Sequence, residues 1–155
     1  MADQPKRAAA RSAARLGAVQ ALYQMDIAHT DLSDVLAEFS SVRVGEGFEE
    51  GDSIEPDFNF LRDIVIGVVD HQRAVDPDIN ERLKEGWKLH RIDATLRALL
   101  RAGAYELKHR QDVPAKVTIS EYVDVAKAFF EGDEPKVVNG VLDSLARHFE
   151  RVEIN

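Results

Sequence analysis

The sequence predicts an all-α fold of about seven helices, and three observations favour that class. Apolar residues recur at spacings of three and four along most of the chain, as they do on one face of a helix. No segment shows the alternation of apolar and polar residues that is typical of a half-buried strand. Most of the prolines stand where a helix is expected to begin, namely Pro5, Pro56, Pro77 and Pro135.

The first half of the chain predicts three helices. Residues 5–28 are rich in Ala, Arg and Gln, which are good helix formers. Asp31 is placed to cap a short second helix, and Pro56 opens a third in which Gly67 allows a close crossing. The first of these helices carries one core-facing stripe, which consists of Leu16, Val19, Leu22, Tyr23 and Ile27.

A fourth and a fifth helix are predicted between residues 76 and 107. Asp76 followed by Pro77 is the pattern of a cap and a first-turn proline, which predicts a helix that begins here and reaches Trp87. The next helix, from Ile92 to Leu107, is the most apolar in the chain. We therefore expect it to lie at the centre of the fold.

The last two helices are predicted from local signals at their starts. Thr118 and Glu121 match a capping box, in which a hydroxyl and a carboxylate three residues apart satisfy the first N–H groups of a helix. We expect that helix to begin at Thr118 and to run to Phe130. Pro135 then opens the final helix.

The composition indicates a single domain and excludes several classes of protein. A length of 155 residues with 45% apolar residues is sufficient for one hydrophobic core. Without cysteine the chain has no disulfide, no thiol nucleophile and no cysteine-ligated metal. No apolar run approaches the roughly 18 residues of a membrane-spanning helix, and the N-terminus lacks the apolar core of a secretory signal. We expect a soluble, cytoplasmic protein.

The net charge of −8 is concentrated in one segment. Residues 31–57 contain nine acids and a single base, Arg43, whereas residues 1–24 carry a net positive charge. A basic end can meet a polyanion even on an acidic protein, because physiological salt screens charges beyond about 8 Å. The stretch 43–55 has three glycines among its acids and no periodicity, which predicts a mobile loop.

No pattern in the sequence indicates catalysis. The chain contains no Walker loop, no Gly-x-Gly-x-x-Gly, no nucleophile elbow and no His-Glu-x-x-His. The five histidines share no metal-ligand spacing. We expect a protein that is not an enzyme and that uses neither a cofactor nor a metal.

The pattern with the clearest chemical content is a stripe of arginines on the first helix. Arg7, Arg11 and Arg15 are spaced by four residues and so lie along one face, with Lys6 beside them. Guanidinium groups bind phosphate through paired hydrogen bonds and stack on bases. The stripe leaves two interpretations open, a nucleic-acid-binding surface and a solvated basic face that only improves solubility.

Further basic residues surround the central helix and are interpreted as structural. Arg101 lies among apolar neighbours, so we expect a partly buried ion pair with a carboxylate such as that of Glu106 or Glu121. This second cluster consists of Arg97, Arg101, Lys108, Arg110 and Lys116.

Five segments stand in an order and spacing that point to a known family. They are Arg15 to Gln24, Asp93 to Leu107, Val113-Pro114, Ile119 to Glu121 and Val138 to Asp143. Together they resemble the NusB family of bacterial antitermination factors, over about residues 6–150. The resemblance implies one NusB-like RNA-binding domain over residues 1–155, built from two packed three-helix subdomains at about 1–75 and 76–155, and no enzymatic activity.

The resemblance also implies a function in transcription. Members of the NusB family bind the boxA RNA element in the leaders of ribosomal RNA operons together with NusE, a small-subunit ribosomal protein. That pair joins NusA, NusG and RNA polymerase in a complex that suppresses premature termination. The resemblance leaves open whether the protein also forms a homodimer, and it implies no contact with a membrane.

Site residues follow from the resemblance, position by position. The arginine-rich first helix of the family and the start of its last helix form the RNA surface, and Tyr23 and Leu96 correspond to positions that face NusE. The implied RNA-binding residues are Lys6, Arg7, Arg11, Arg15, Gln20, Asp133, Lys136 and Val137, with Asn139 beside them.

The chain departs from the family pattern in three places. Ser12 and Ala13 stand where relatives have denser arginines, Val137 stands where they have phenylalanine, and Leu96 where they have an acidic residue. Stacking of a base on an aromatic ring contributes about 1–3 kcal/mol, so we expect this protein alone to hold RNA weakly.

Two alternatives remain open at this point. A non-catalytic, protein-binding helical adaptor or ribosome-assembly factor without direct RNA contact fits the same pattern of helices. Asn139 and Gly140 also have a structural interpretation, as a helix residue bonded to a neighbouring loop and a small residue at a close helix crossing.

A NusB-like domain also precedes the catalytic part of an RNA methyltransferase. We do not expect that activity here, because the 155 residues contain no cofactor-binding segment.

Overall fold

The structure, a computed structural model, describes residues 4–40 and 55–151. Within these ranges every regular element is a helix and no strand occurs, so the predicted all-α class is confirmed. The loop predicted at 43–55 lies outside the described residues, apart from Glu55. The helices are α1 (Gln4–Ala28), α2 (Leu32–Phe39), α3 (Phe58–Arg82), α4 (Ala94–His109), α5 (Ala115–Phe129) and α6 (Glu134–His148).

The described residues contain six helices rather than seven, because no helix begins at Asp76. Pro77 lies inside α3, where its ring nitrogen has no hydrogen to donate to the preceding turn. The helix continues through it because Val75 and Ile79, on one face of α3, are 2% and 0% exposed. This burial outweighs the lost hydrogen bond, and α3 ends at Arg82, before Trp87.

The predicted start of α5 at Thr118 is also wrong. The helix begins at Ala115, one turn earlier, with Pro114 at the capping position. Thr118 is fully buried, and its hydroxyl donates a hydrogen bond of 2.9 Å to the carboxylate of Glu106 on α4. The hydroxyl of Thr118 is directed to Glu106 rather than to the start of α5, and the local sequence pattern does not reveal this difference.

The chain divides into two compact units, Met1–Ile66 and Gly67–Asn155. The prediction of one domain, with a subdomain boundary near residue 75, stays a prediction. In the first unit α1 packs on α2, and Gly17 allows a close approach, since a Cβ there would lie 2.8 Å from the Leu61 side chain. The backbone N–H of Asp57 donates to the carbonyl of Ala10, and its carboxylate accepts from the backbone N–H of Phe60, which caps α3.

In the second unit α4 packs against both α5 and α6, as its apolar sequence predicted. Its buried face carries one acid, Glu106, which is 0% exposed and accepts hydrogen bonds from the hydroxyls of Thr118 and Tyr122 at 2.9 and 3.0 Å. The largest fully buried apolar side chains here belong to Ile79, Leu96, Leu99, Leu100, Leu107, Leu142 and Leu145.

Two predictions about the surroundings of α4 are confirmed, although the ion-pair partner of Arg101 differs from the expected one. Gly67 provides the expected close approach, because a Cβ there would lie 2.1 Å from the ring of Tyr105. Arg101 forms the expected partly buried ion pair, but its partner is Asp76, which accepts two hydrogen bonds of 2.9 and 2.8 Å. The predicted partner Glu106 is instead held by α5 hydroxyls.

Candidate nucleic-acid interface

The first turns of α1 carry cations at the surface of the first unit. Lys6 and Arg7 are exposed. Arg11, one turn later, is half-exposed, and its guanidinium carbon lies 4.6 Å from the centre of the Phe60 ring. The Nε atom of Arg11 lies 3.9 Å from a carboxylate oxygen of Asp57. Ring and carboxylate together hold this guanidinium at the surface, so less conformational entropy is lost when it binds an anion.

Arg15 is not presented to solvent with the rest of the stripe. The residue is only 3% exposed, and its guanidinium carbon lies 4.9 Å from the same Phe60 ring. The spacing of four residues predicts a shared face, but it does not predict that an aromatic residue of another helix covers the end of that face. Gln20, further along α1, is exposed.

A second cationic feature lies in the other unit, at the start of α6. Asp133, Lys136 and Val137, all three predicted from the resemblance, line a groove of about 550 Å³. Arg82, at the end of α3, and Lys84, two residues later, line it as well. We call this feature the α6 groove; its remaining lining residues are Gly140 and Val141.

Arg82 is the best-fixed cation of the α6 groove. Its side chain is 17% exposed, and one terminal nitrogen donates a 2.8 Å hydrogen bond to the carbonyl of Asp78. A carboxylate oxygen of Glu81 lies 3.6 Å from that same nitrogen. The Nε–H of Arg82 is buried and meets no acceptor in the part of the chain that the structure describes.

Gly140 does not lie at a close helix crossing, so that structural interpretation is wrong. A Cβ at this position would meet no other atom within 4 Å, and the residue is exposed. The sequence pattern does not single out Arg82 and Lys84, because both lie inside a helix that is predicted to reach Trp87. The signal that would have found them is a pair of bases flanking Leu83 at the end of an apolar stripe.

The two predicted partner-binding residues differ in exposure. Tyr23 is 41% exposed, and Ile27, one turn later on α1, is 52% exposed. The prediction that both belong to the core-facing stripe of α1 is therefore wrong, and this face presents apolar surface. Leu96 is 2% exposed and belongs to the core. It reaches only the floor of a smaller groove of about 270 Å³, which Trp87 and Glu134 also line.

Histidines form one surface cluster, in the second unit. The imidazole rings of His71 and His109 stack with centroids 4.3 Å apart, and His109 also stacks on Tyr105 at 5.0 Å. Across residues 4–40 and 55–151, no three His, Asp or Glu side chains are grouped as they are around a metal ion. Over the same ranges, no helix is long and apolar enough to cross a membrane.

Comparison with known proteins decides the family. The sequence model of the NusB family matches residues 12–147. The chain belongs to the NusB family. Transcription antitermination protein NusB of Bradyrhizobium sp. (strain ORS 278) is 54% identical over 153 residues, which cover 99% of this chain and 91% of that protein. The protein of the same name from Bartonella henselae is 51% identical over 143 residues, with 92% and 90% covered.

Solved NusB structures share this fold. T. maritima NusB is 30% identical and superimposes with a TM-score of 0.72, covering 88% of this chain and 90% of its own. The solution structure of Aquifex aeolicus NusB, at 23% identity and a TM-score of 0.63, covers 90% and 89%. NusB proteins are non-catalytic antitermination factors, so this member of the family is not an enzyme.

Proposed function

We propose that the protein is a transcription antitermination factor that binds the boxA element of ribosomal RNA operon leaders together with NusE. The observation that carries the proposal is the cationic start of α1 in a NusB chain, where Lys6 and Arg7 are exposed and Arg11 is held beside Phe60. Single-stranded RNA offers a row of phosphates to such a surface, and guanidinium groups bind phosphate in pairs of hydrogen bonds.

Within this proposal the predicted residues have different roles. Lys6, Arg7, Arg11 and Gln20 contact the RNA directly, since each has exposed side-chain atoms. Arg15 acts as a positioning residue, because its guanidinium lies on the Phe60 ring that also faces Arg11. In the second unit the RNA contacts are Lys136 and Val137, with Asp133 at the start of α6.

The same proposal assigns NusE to the apolar face of α1. Tyr23 and Ile27 are exposed on successive turns, and exposed apolar surface marks a docking site for a protein partner. Leu96 is buried, so its contribution to NusE binding is to support neighbouring residues rather than to touch the partner. The pair then joins NusA, NusG and RNA polymerase in the cytoplasm, where transcription takes place.

A titration of labelled boxA RNA at several salt concentrations tests the proposal. Each neutralised phosphate of single-stranded RNA adds about −0.7 to the slope of log affinity against log salt. We expect the double variant Lys6→Ala, Arg7→Ala to reduce the magnitude of this slope by about 1.4 and to weaken binding. The helix stays intact because alanine is the better helix former.

The matched control is Arg62→Ala, which removes an exposed cation of α3 in the same unit. We expect it to leave affinity and slope unchanged. Addition of NusE should tighten the binding of the unchanged protein. If the double variant binds boxA RNA as tightly as the unchanged protein and with the same slope, the start of α1 is not the RNA site. The exposed Tyr23 and Ile27 would then favour the second candidate, an adaptor that binds only proteins.

A further inference from the structure

Another groove lies between α3 and α4 in the second unit, and it encloses about 420 Å³. We call it the Arg101 groove; it is lined by Arg73, Asp76, Pro77, Asn80, Leu89, His90 and Arg101. It shares no lining residue with the α6 groove. The Arg101 groove is therefore a separate feature of the surface, away from the residues assigned to RNA and to NusE.

The carboxylate in the Arg101 groove is already engaged. Among the described residues that line this groove, Asp76 is the one acid, and it accepts hydrogen bonds from Nε and Nη2 of Arg101 at 2.9 and 2.8 Å. The ion pair offsets the negative charge of Asp76. It also fixes the guanidinium of Arg101, whose side chain is 15% exposed, and leaves its Nη1 atom to donate to a ligand.

The other polar side chains of the Arg101 groove are chiefly donors. The Oδ1 atom of Asn80 accepts a 3.0 Å hydrogen bond from the backbone N–H of Leu89, so its amide nitrogen remains to donate. Arg73 and His90 are exposed at the rim and add a second guanidinium and an imidazole. Donors from both helices and from the segment between them thus converge on one groove, which suits a ligand that only accepts.

The charge and the number of donors favour a phosphomonoester among such ligands. Two guanidinium groups against one carboxylate leave a positive groove even while His90 is neutral. A phosphomonoester carries about −1.5 to −2 charges at pH 7 and three strong acceptor oxygens. A carboxylate or a phosphodiester carries a single negative charge and uses fewer of these donors.

We infer that the Arg101 groove binds a small phosphorylated metabolite, with its phosphate among Arg73, Asn80 and Arg101. The volume lies within the range of sites for small ligands, about 300–1,000 Å³, and exceeds what a phosphate alone fills. Pro77 and Leu89 give the groove an apolar wall, against which the organic part of the ligand packs. This inference goes beyond the proposed function, because the site needs neither boxA RNA nor NusE.

A titration with phenyl phosphate, followed by the backbone amide signals in NMR, tests the inference. Phenyl phosphate is a phosphomonoester with a compact apolar body. We expect saturable shifts at the amides of residues 73–80 and 89–101. Methyl phenyl phosphate, the matching diester, and benzoate lack one of the charges, and each should bind about tenfold more weakly.

The variant Asn80→Asp separates the ligand site from the fold. The new carboxylate can still accept the hydrogen bond from the N–H of Leu89, but it replaces the donating amide nitrogen by a negative oxygen. We expect phenyl phosphate to bind at least about tenfold more weakly. The matched control is Asn59→Asp, the same change at an exposed position of α3 outside the groove, which should leave the affinity unchanged.

A second variant, Arg73→Ala, changes an exposed side chain and so retains the fold. It should weaken phenyl phosphate about tenfold, whereas Arg62→Ala, at another exposed arginine of α3, should not. Both groove variants should bind boxA RNA as the unchanged protein does.

Three results would overturn the inference. The first is the absence of saturable shifts with phenyl phosphate, or equal shifts in Asn80→Asp and the unchanged protein. The second is a diester that binds as tightly as the monoester. The third is a loss of boxA affinity in Arg73→Ala that matches its loss of phenyl phosphate affinity, because the groove would then belong to the RNA surface.

Discussion

Two glycines in helices of this protein should respond in opposite ways to the same substitution. At Gly67 on α3, a Cβ would lie 2.1 Å from Cε1 and Cζ of Tyr105, where ordinary contacts begin at 3.4 Å. At Gly140 on α6, a Cβ would meet nothing within 4 Å. Glycine to alanine improves the intrinsic helix propensity by about 1 kcal/mol at both positions. The difference between the two variants therefore isolates the steric contact.

The size of the effect at Gly67 follows from how little Tyr105 can move. The tyrosine is 7% exposed, and its ring stacks against His109 with centroids 5.0 Å apart. Overpacking of this kind costs about 1–3 kcal/mol, which exceeds the gain in helix propensity. Because a contact of 2.1 Å is severe, the upper part of that range applies, about 2–3 kcal/mol. After the gain of about 1 kcal/mol in helix propensity, we expect Gly67→Ala to lower the free energy of unfolding by about 1–2 kcal/mol. Gly140→Ala should raise it by about 0.5–1 kcal/mol.

Urea unfolding followed by circular dichroism measures both changes. A double variant, Gly67→Ala with Tyr105→Leu, provides the rescue, because the smaller side chain leaves space for the new methyl group. We expect it to be less destabilised than the sum of its single variants. Equal stabilisation by Gly67→Ala and Gly140→Ala would refute the close approach of α3 to Tyr105.

The remaining predictions concern the core and the assembly. Leu100→Ala opens a cavity at a side chain that is 0% exposed and should cost about 2–5 kcal/mol in thermal or urea unfolding, whereas an unchanged midpoint would place Leu100 outside the core. Tyr122→Phe removes one hydroxyl donor from the buried carboxylate of Glu106 and should cost about 1.5–3 kcal/mol; a neutral effect would show that this hydrogen bond is absent in solution. Any homodimer that forms through the exposed face around Tyr23 should dissociate when NusE is added, because both would use the same apolar surface. Light scattering at several concentrations measures this, and a dimer that persists with NusE bound contradicts a shared surface.

Part of the candidate site could be predicted from sequence because it depends on spacing along one helix. Lys6, Arg7 and Arg11 needed only the helical period to be placed together near the start of α1. The period does not show what packs against that face, so it did not reveal that Phe60 covers Arg15. In the same way Leu96 matched a family position, but its 2% exposure depends on the packing of α4.

Local signals predicted some helix starts correctly and failed at two others, where the packing of neighbouring residues decides. Pro135 does mark the start of α6, and the apolar stripe from Ile92 to Leu107 does become the central helix α4. Pro77 and Thr118 carry equally good start signals, yet neither begins a helix. In both places the burial of neighbouring residues contributes more free energy than a cap or a first-turn proline does.

The sequence by itself determined the helical class, the NusB family and the cationic start of α1, because periodicity, motif order and charge are properties of the chain. Only the tertiary structure decided which charged groups are buried and with what partner. Arg101 pairs with Asp76, 25 residues away, and the guanidinium of Arg151 donates to the carbonyls of Leu107 and Val113. Such contacts join residues that are distant in sequence. A buried guanidinium needs an acceptor because an unpaired buried charge is costly, but either a carboxylate or a backbone carbonyl can serve, so the sequence does not show which one it will be. The same reason explains the α6 groove, since Arg82 and Gly140 become neighbours only when α3 and α6 are folded together.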